Sequence, residues 1–546
     1  MKIGIAQINT KVGDIAYNQR KIEGVIQKLG KDADVIVFPE MSLSGYPLND
    51  LIDDKSFVIE QKEVLYKIRD LVSQTNGNLK IILGCIDYSE SEKLPSGEMK
   101  KYNAAAVIGK DIQIYHKRLL PNYDVFFEQR YFSPGKDGLT FNIAKDLTGA
   151  LTICEDIRDD TYEVKPIQSY KDKDVDVIFN ISSSPYTTKK LQKRMSILSK
   201  HARDLQAHMV YVNQVGGQDE LVFDGGSMVM NADGSLVHLS KRFEEEIIIV
   251  DTNKKSDGEH AGYDVSFENQ CPQGSMLDAM KLGLKDYLAK TGIQDVVIGV
   301  SGGIDSALSL YILSQVLSPE RIHAIYMPTK FNSDESYSLS QEIADNVGVK
   351  LQVGEINDLL RGFEKFGEEK LGKKPEGITH ENIQARIRGM ILMNIANDTH
   401  GMVINNSNKT ELAMGYGTLY GDLIGGLSLI GDLNKREVYD LAKHINAHNH
   451  KEIIPNKIIT RKASAELAPG QVDPFDYTRV PDAIEELQFG ASIQETAKKY
   501  SLDIEEVAAL RKRIKLNEFK IRQAPPVIKL KERSVGIGRL YPVVES

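Results

Sequence analysis

The sequence predicts an α/β protein of two successive domains, and three observations predict it. Short Val/Ile-rich runs alternate with helical stretches along the whole chain. A polar, glycine-containing stretch, Thr252–Gly262, interrupts that pattern near the middle, as linkers do. Beyond it a helix, a strand, a glycine loop and another helix open a fresh βαβ series. A chain of 546 residues leaves room for two to four domains of ~100–200 residues each. Only two coherent patterns are visible, so the boundary is placed near residue 265, giving domains 1–265 and 266–546.

In the first domain, strands are expected at Lys2–Asn9, Asp34–Phe38, Lys80–Ile86, Ala104–Ile108, Ala150–Ile153, Val175–Asn180 and Met209–Asn213, with helices at Ser56–Thr75 and Thr188–Gln206. Gly109-Lys-Asp111 predicts a hairpin between Lys101–Ile108 and Ile112–Lys117, and Asn231-Ala-Asp-Gly234 another between Ser227–Met230 and Leu236–Leu239. Glu246–Asp251 is the last strand before the linker. In the second domain a helix at Ser275–Lys290, a strand at Asp295–Val300, a helix at Ile304–Leu317 and a strand at Arg321–Met327 have βαβ spacing. Asn517–Ser546 reads as an extended tail.

Composition excludes several classes of function. Hydrophobic residues make up 41% and charged residues 27%, with 43 Gly and 18 Pro, which is ordinary globular usage and not fibrous or low-complexity. A net charge of −9 argues against bulk nucleic-acid binding, which rests on Lys and Arg neutralising phosphates. No apolar run approaches the ~20 residues a membrane helix needs, and the first residues read as a strand, not a signal peptide. Cys85, Cys154 and Cys271 form neither a disulfide framework nor a CxxC metal site, so a cytoplasmic setting is expected.

Three residues of the first domain sit just beyond apolar strands: Glu40 in Val35-Ile-Val-Phe-Pro-Glu40, Lys117 in Ile112-Gln-Ile-Tyr-His-Lys117, and Cys154 in Ala150-Leu-Thr-Ile-Cys154. Together they make an acyl-transfer set. A thiolate attacks a carbonyl, a carboxylate relays the proton to the leaving amine, and an ammonium holds the oxyanion and lowers the thiol pKa. Singly, each has a plainer reading: a cysteine after a strand is often a small core residue, and Glu40 and Lys117 could be solvated charges. Phe38-Pro-Glu40 with Ser44-Gly-Tyr-Pro47, His116-Lys-Arg-Leu-Leu-Pro-Asn-Tyr123 and Cys154-Glu-Asp156 resemble the nitrilase superfamily of carbon–nitrogen hydrolases over roughly residues 1–260. That resemblance implies an α-β-β-α sandwich and a Glu40–Lys117–Cys154 triad with Cys154 as nucleophile. Tyr123-Asp-Val-Phe-Phe-Glu128, Ser182-Ser-Ser-Pro-Tyr186 and Glu220-Leu-Val-Phe-Asp-Gly-Gly226 resemble its glutaminase variants, which implies glutamine contacts from Tyr123, Glu128, Ser183 and Lys189. Phe127 and Arg158 depart from that pattern, where aspartate and tryptophan are common.

In the second domain Val296-Val-Ile-Gly-Val300 runs into Ser301-Gly-Gly-Ile-Asp-Ser306 and then a helix. Gly302 and Gly303 let backbone N–H groups approach an anion, and the helix start adds free donors. Asp305 beside a phosphate suggests a bridging cation such as Mg²⁺. A plain strand–turn–helix with a serine cap is the competing reading, and the loop lacks the Walker A ending. It resembles the SGGxDS motif of the adenine-nucleotide α-hydrolase (ATP pyrophosphatase) superfamily, which implies a doubly wound parallel sheet and transfer of AMP from ATP to a carbonyl or carboxyl oxygen. Ile325-Tyr-Met-Pro-Thr-Lys330, Ile378–Arg388, Asn405–Glu411, Gly415–Thr418, Tyr420-Gly-Asp422, Asp432–Lys435 and Ser464–Gln471 narrow this, and the chain nearly end to end resembles glutamine-dependent NAD⁺ synthetases.

What the resemblance implies is specific. ATP contacts are expected from Ser301, Gly302, Gly303, Asp305, Ser306, Met327, Arg388 and Thr410. Contacts with nicotinic acid adenine dinucleotide are expected from Asn382, Arg386, Glu411, Tyr416, Asp422 and Lys435. Mg²⁺ is expected on Asp305 and Glu411. Lys409 joins the cations offsetting nucleotide charge, Tyr420 is a second candidate to stack on a ring, and Arg386 and Arg388, two apart, cannot share one helix face. A homo-oligomer is expected. Free ammonia is largely protonated at pH 7, so a sheltered route for it is expected too. Two other readings stay open at this point: a glutamine-dependent amidotransferase for a different adenylylated small molecule, and a degenerate binding or scaffolding protein, against which the intact Glu40, Lys117, Cys154 and Asp305 speak.

Overall fold

The computed structural model describes residues 1–95, 97–253 and 271–544. The chain divides into two compact units, Met1–Pro272 and Gln273–Ser546. The boundary expected near 265 and most of the expected linker lie outside the described residues.

In the first unit β1 (Lys2–Gln7), β2 (Val35–Val37), β3 (Lys80–Lys93), β4 (Met99–Ile108), β5 (Ile112–His116) and β14 (Glu246–Asp251) form one sheet, in the order β14-β1-β2-β3-β4-β5. A second sheet contains β6 (Thr140–Ala144), β7 (Leu147–Ile153), β8 (Val177–Ser182), β9 (His208–Asn213), β12 (Met228–Met230) and β13 (Leu236–Leu239), in the order β13-β12-β9-β8-β7-β6. β10 (Val215–Gln218) and β11 (Leu221–Asp224) pair as a separate ribbon.

Alternation along the strands explains the layers. Ile3, Ile5, Val35 and Val37 of the first sheet share one buried cluster with Ile153, Phe179, Ile181 and Val210 of the second. Ile36, Ile81 and Leu83 point the other way, onto Ile22, Ile26, Ile68 and Val72 of helices Ile15–Leu29 and Lys55–Thr75. On the far side Leu191, Leu198 and Ala202 of helix Lys190–Leu205 cover Ile178, Met209 and Tyr211. The result is the expected α-β-β-α sandwich. Both expected hairpins form, joining β4 to β5 and β12 to β13. β3 runs past the expected Ile86 to Lys93 because β4 pairs with it there; its polar end carries no apolar signal.

In the second unit β15 (Val296–Gly299), β16 (Ile322–Tyr326), β17 (Leu351–Val353), β18 (Met402–Asn405) and β19 (Leu427–Ser428) form a parallel sheet in the order β17-β16-β15-β18-β19. The chain winds outward from β15 to β17 and then returns to the other side, which is the doubly wound order. It leaves a crevice at the strand ends between β15 and β18. Helix Ile378–Thr399 packs Ile387, Leu392 and Ala396 on Val297, Ile325 and Val403. Helices Pro481–Gln488, Ile493–Tyr500 and Ile504–Leu516 form a small cluster on Ala413 and Met414.

The expected tail is a packed strap. It starts with a short helix, Glu518–Ile521, and then buries Val527, Ile528, Leu530 and Val535. Asp432 accepts the backbone N–H groups of Leu530 and Lys531 at 2.7 and 2.9 Å. Among the described residues, no helix is long and apolar enough to cross a membrane.

One glycine of β3 is required by a close approach. A Cβ at Gly84 would lie 2.2 Å from the Met41 nitrogen and 2.4 Å from the Pro39 carbonyl oxygen, inside the turn that carries Glu40. Gly84→Ala is therefore expected to cost about 1–3 kcal/mol by overpacking. Thermal unfolding checks this: the transition of the first unit should move down, and an unchanged midpoint would show that the turn has room.

Candidate active sites

In the first unit four strand ends meet at one end of the sandwich. The first sheet delivers Glu40 after β2 and Lys117 after β5; the second delivers Cys154 after β7 and Ser183 after β8. Lys117 Nζ donates to Glu40 Oε1 at 2.7 Å and to Glu128 Oε1 at 2.8 Å. All three side chains are nearly inaccessible. Buried ions persist only when partners replace the lost solvent, and here the carboxylates find several. Asn103 Nδ2 donates to Glu40 Oε1 at 2.7 Å, the Ser183 backbone N–H to Glu40 Oε2 at 2.7 Å, and the Tyr46 hydroxyl to Glu128 Oε1 at 3.0 Å. Ser183 Oγ donates within reach of the Glu40 carbonyl oxygen at 2.9 Å. Burial pushes the Glu128 carboxyl up to about 7, against the pull of Lys117. Burial also opposes the Lys117 charge, but Glu128 and Glu40 outweigh it and hold the ammonium well above its usual range.

Cys154 opens a one-turn 3-10 helix, Cys154–Ile157, and has φ +42°, a left-handed conformation that is rare outside glycine. The turn is held by Asp156. Its Oδ2 accepts the Ile153 N–H at 2.9 Å and the Tyr115 hydroxyl at 2.8 Å, and its Oδ1 the Arg118 and Leu119 N–H groups at 3.1 and 2.9 Å. One carboxyl thus ties the turn after β7 to the segment after β5. Burial pushes the Cys154 thiol up to about 12, with Glu40 adding to it and Lys117 opposing. Lys117 lowers the thiol pKa, as expected, but burial and Glu40 outweigh its pull.

Tyr123 and Lys189 stand further out. Tyr123 is half-exposed, and its hydroxyl donates to Glu155 Oε1 at 3.0 Å. Lys189 is exposed, with φ +67°, at the residue before helix Lys190–Leu205.

In the second unit a cavity of about 310 Å³ opens beside the crevice between β15 and β18. Ser301, Gly303, Asp305, Ser306, Met327, Arg388, Glu411, Tyr416, Asp422 and Lys435 of the expected residues line it. The glycine loop is self-bonded: the Ser301 N–H donates to Ser306 Oγ at 3.2 Å, and Ser306 Oγ donates to the Gly303 carbonyl at 3.2 Å. Gly302 has φ +75°, and a Cβ there would lie 2.4 Å from the Ser336 carbonyl oxygen, so the position admits only glycine.

The other expected residues lie behind or beside the cavity. Gly302 is buried under the loop. Thr410 Oγ1 accepts the Lys435 N–H at 3.0 Å, and Asn382 Oδ1 accepts from the Thr418 hydroxyl at 2.7 Å. Arg388 reaches the cavity and donates from Nε to the Met327 carbonyl at 2.9 Å, whereas Arg386 is exposed and donates to the Leu419 carbonyl at 3.2 Å. Burial lowers the Arg388 guanidinium to about 10. Tyr420 is 70% exposed and outside the lining. Lys409, expected to offset nucleotide charge, is already neutralised: it is 1% exposed and paired with Asp432 at 3.0 Å and Glu485 at 2.7 Å.

Several residues of these sites escaped sequence reasoning. Asn103 is one strand away from Lys117, whose backbone N–H bonds to the Asn103 carbonyl at 2.8 Å. Tyr46 lies inside Ser44-Gly-Tyr-Pro47, where nothing in the sequence points to Glu128 as its partner. Asp473 accepts the Tyr416 and Tyr477 hydroxyls at 3.0 and 3.1 Å, in a segment without any periodic signal.

A carbon-nitrogen hydrolase family model matches residues 2–257, and an NAD synthase model matches residues 276–524. Glutamine-dependent NAD(+) synthetases of Synechocystis sp. and Thermotoga maritima are 35% and 36% identical to the chain, in alignments covering 100% of it and 98% of each relative. The chain belongs to the glutamine-dependent NAD(+) synthetases. A solved family structure from Acinetobacter baumannii, in complex with adenosine diphosphate, is 31% identical with a TM-score of 0.77, covering 100% of this chain and 98% of that one. A second, from Cytophaga hutchinsonii, has a TM-score of 0.83 at 18% identity over 100% and 98% of the two chains, and shares the fold.

A neutral resting thiol has a measurable signature. Because burial raises the folded-state pKa, the Cys154 thiolate fraction is small near pH 7 and grows about tenfold per pH unit up to that pKa. Alkylation of Cys154 by iodoacetamide, followed by mass spectrometry of its peptide, should keep rising from pH 7 through pH 10. A plateau by pH 8 would mean a preformed thiolate.

Proposed function

We propose that the first unit hydrolyses glutamine and that the second uses the ammonia and ATP to amidate nicotinic acid adenine dinucleotide to NAD⁺. The observation that carries the reading is the joint one: Glu40, Lys117, Glu128 and Ser183 converge beside a strained Cys154 in one unit, and an SGGxDS loop opens the crevice of the other.

In the glutaminase half, Cys154 Sγ attacks the side-chain amide carbon. Its thiol is neutral at rest, so the proton must leave as the bond forms, and Glu40 takes it and returns it to the departing ammonia. Lys117 has three N–H donors, two of them on Glu40 and Glu128, and the third is available to the developing oxyanion. Water then releases glutamate from the thioester. Tyr123, Ser183 and Lys189 belong to the glutamine pocket in this reading.

In the synthetase half, the dinucleotide carboxylate attacks the α-phosphate of ATP, pyrophosphate departs, and ammonia displaces AMP. A carboxylate is a poor electrophile, and adenylylation supplies the leaving group. Ser301, Gly303 and Ser306 offer donors to phosphate, and Arg388 and Lys435 bring positive charge into the cavity. Asp305 and Glu411 place two carboxylates on a common cation, which fits the oxygen preference of Mg²⁺; bound there, the metal would neutralise phosphate charge. The reading includes a cytoplasmic homo-oligomer. Exposed apolar side chains on helices Asn357–Leu371 and Ile378–Thr399, among them Phe363, Phe366, Leu371, Ile378 and Met393, support association between copies.

One assay tests both halves: NAD⁺ formation from nicotinic acid adenine dinucleotide, ATP and Mg²⁺, with glutamine or with ammonium. Cys154→Ala should lower the glutamine-dependent rate at least a thousandfold and leave the ammonium-dependent rate within about twofold. Equal loss with both nitrogen sources would sink the two-site division, and no NAD⁺ from the parent would sink the substrate assignment.

A further inference from the structure

Three helix starts converge at the mouth of the nucleotide cavity. Asp305 lies in the first turn of helix Ile304–Ser314, Glu411 in that of helix Lys409–Met414, and Lys435 is the first residue of helix Lys435–His448. Lys435 Nζ donates to Asp305 Oδ2 at 2.5 Å and to Glu411 Oε1 at 3.1 Å, and its side chain is 3% exposed. Asn408 holds the other two oxygens, with Nδ2 on Asp305 Oδ1 at 2.9 Å and its backbone N–H on Glu411 Oε2 at 3.3 Å. The Tyr477 ring lies 5.0 Å from the ammonium, a favourable face for a cation.

An ammonium so placed uses the same oxygens that a divalent ion needs. Like charges at that separation repel, and a carboxylate oxygen turned to Nζ is not turned to a metal. Yet Lys435 also lines the cavity that holds the glycine loop, and its long flexible stem lets the head move. We propose that Lys435 is the resident counter-ion of Asp305 and Glu411 and that a divalent metal enters only by displacing it, so that metal binds with nucleotide and not ahead of it. Incoming phosphate gives the displaced ammonium a new anionic partner, and the carboxylates exchange one cation for another. The proposal rests on the reading of Asp305 and Glu411 as metal ligands given above.

Mn²⁺ serves as the probe, with free Mn²⁺ counted by electron paramagnetic resonance on the full-length protein. Without nucleotide, the parent should bind Mn²⁺ at least tenfold more weakly than with a non-hydrolysable ATP analogue. Lys435→Met should bind Mn²⁺ without nucleotide at least tenfold more tightly than the parent, and adding Asp305→Asn should remove that gain. Lys435→Gln, which keeps a donor for Asp305, is expected to show the same direction of change and guards against a misfolded Met variant. Thermal unfolding of the same samples gives a second readout: Mn²⁺ alone should raise the midpoint of the Lys435 variants and leave the parent unmoved. Equal nucleotide-free affinity in parent and variants overturns the proposal. Failure of the assigned reaction would show separately, as absence of NAD⁺ with ammonium, and leaves the Mn²⁺ readings unaffected.

Discussion

Removing an ammonium from water costs several kcal/mol unless anions and hydrogen bonds replace the solvent, and each candidate site of this chain buries a lysine between two carboxylates. Lys117 sits between Glu40 and Glu128, and Lys435 between Asp305 and Glu411. The arrangement constrains everything near it. Two carboxylates held apart would each need their own solvation, and one cation holds both in register. In the first unit that cation joins Glu40 to Glu128; in the second it keeps the two cavity carboxylates converged.

The backbone exists to make those meetings affordable in geometric terms. Glu40, Lys117, Cys154 and Ser183 come from four strands in two sheets, and the inner apolar cluster of Ile5, Val37, Ile153 and Ile181 sets the sheets face to face. Asp156 then fixes the remaining freedom by bonding the turn after β7 to the segment after β5. Gly84 lets the Glu40 turn settle against β3. In the second unit the reversal of strand order opens the crevice. A further buried network lies behind the site: Lys409 pairs with Asp432 and Glu485, and Lys531 with Glu485 and Glu437. Burial would raise the Glu485 carboxyl, but Lys409 and Lys531 pull it down to about 2. Through Lys531 the C-terminal strap bonds to the helix that begins at Lys435.

Legibility in the sequence followed the range of the interaction. Strands such as β1, β2 and β7 and helices such as Lys55–Thr75 were visible because their apolar periodicity is local. The polar end of β3 and the very short β19 were not, since pairing with a neighbouring strand defines them. Cys154 and the SGGxDS loop stood out through motif chemistry, but Asn103 and Asp473 did not, because nothing near them in the chain marks a partner. Lys409 shows the converse. As a residue it looked like a phosphate ligand, and only the packing of Asp432 and Glu485 around it reveals that its charge is already spent.

The sequence by itself determined the two α/β patterns, the placement of Glu40, Lys117 and Cys154 just beyond apolar strands and the glycine loop before a helix, because each rests on residue type and short-range spacing. The tertiary structure alone decided which of two neighbouring arginines enters the cavity and that burial pushes the Cys154 thiol up. It also placed a lysine between the carboxylates expected to hold metal. The reason is physical: charge and proton affinity depend on burial and on partners within a few ångströms, and those partners arrive from far along the chain.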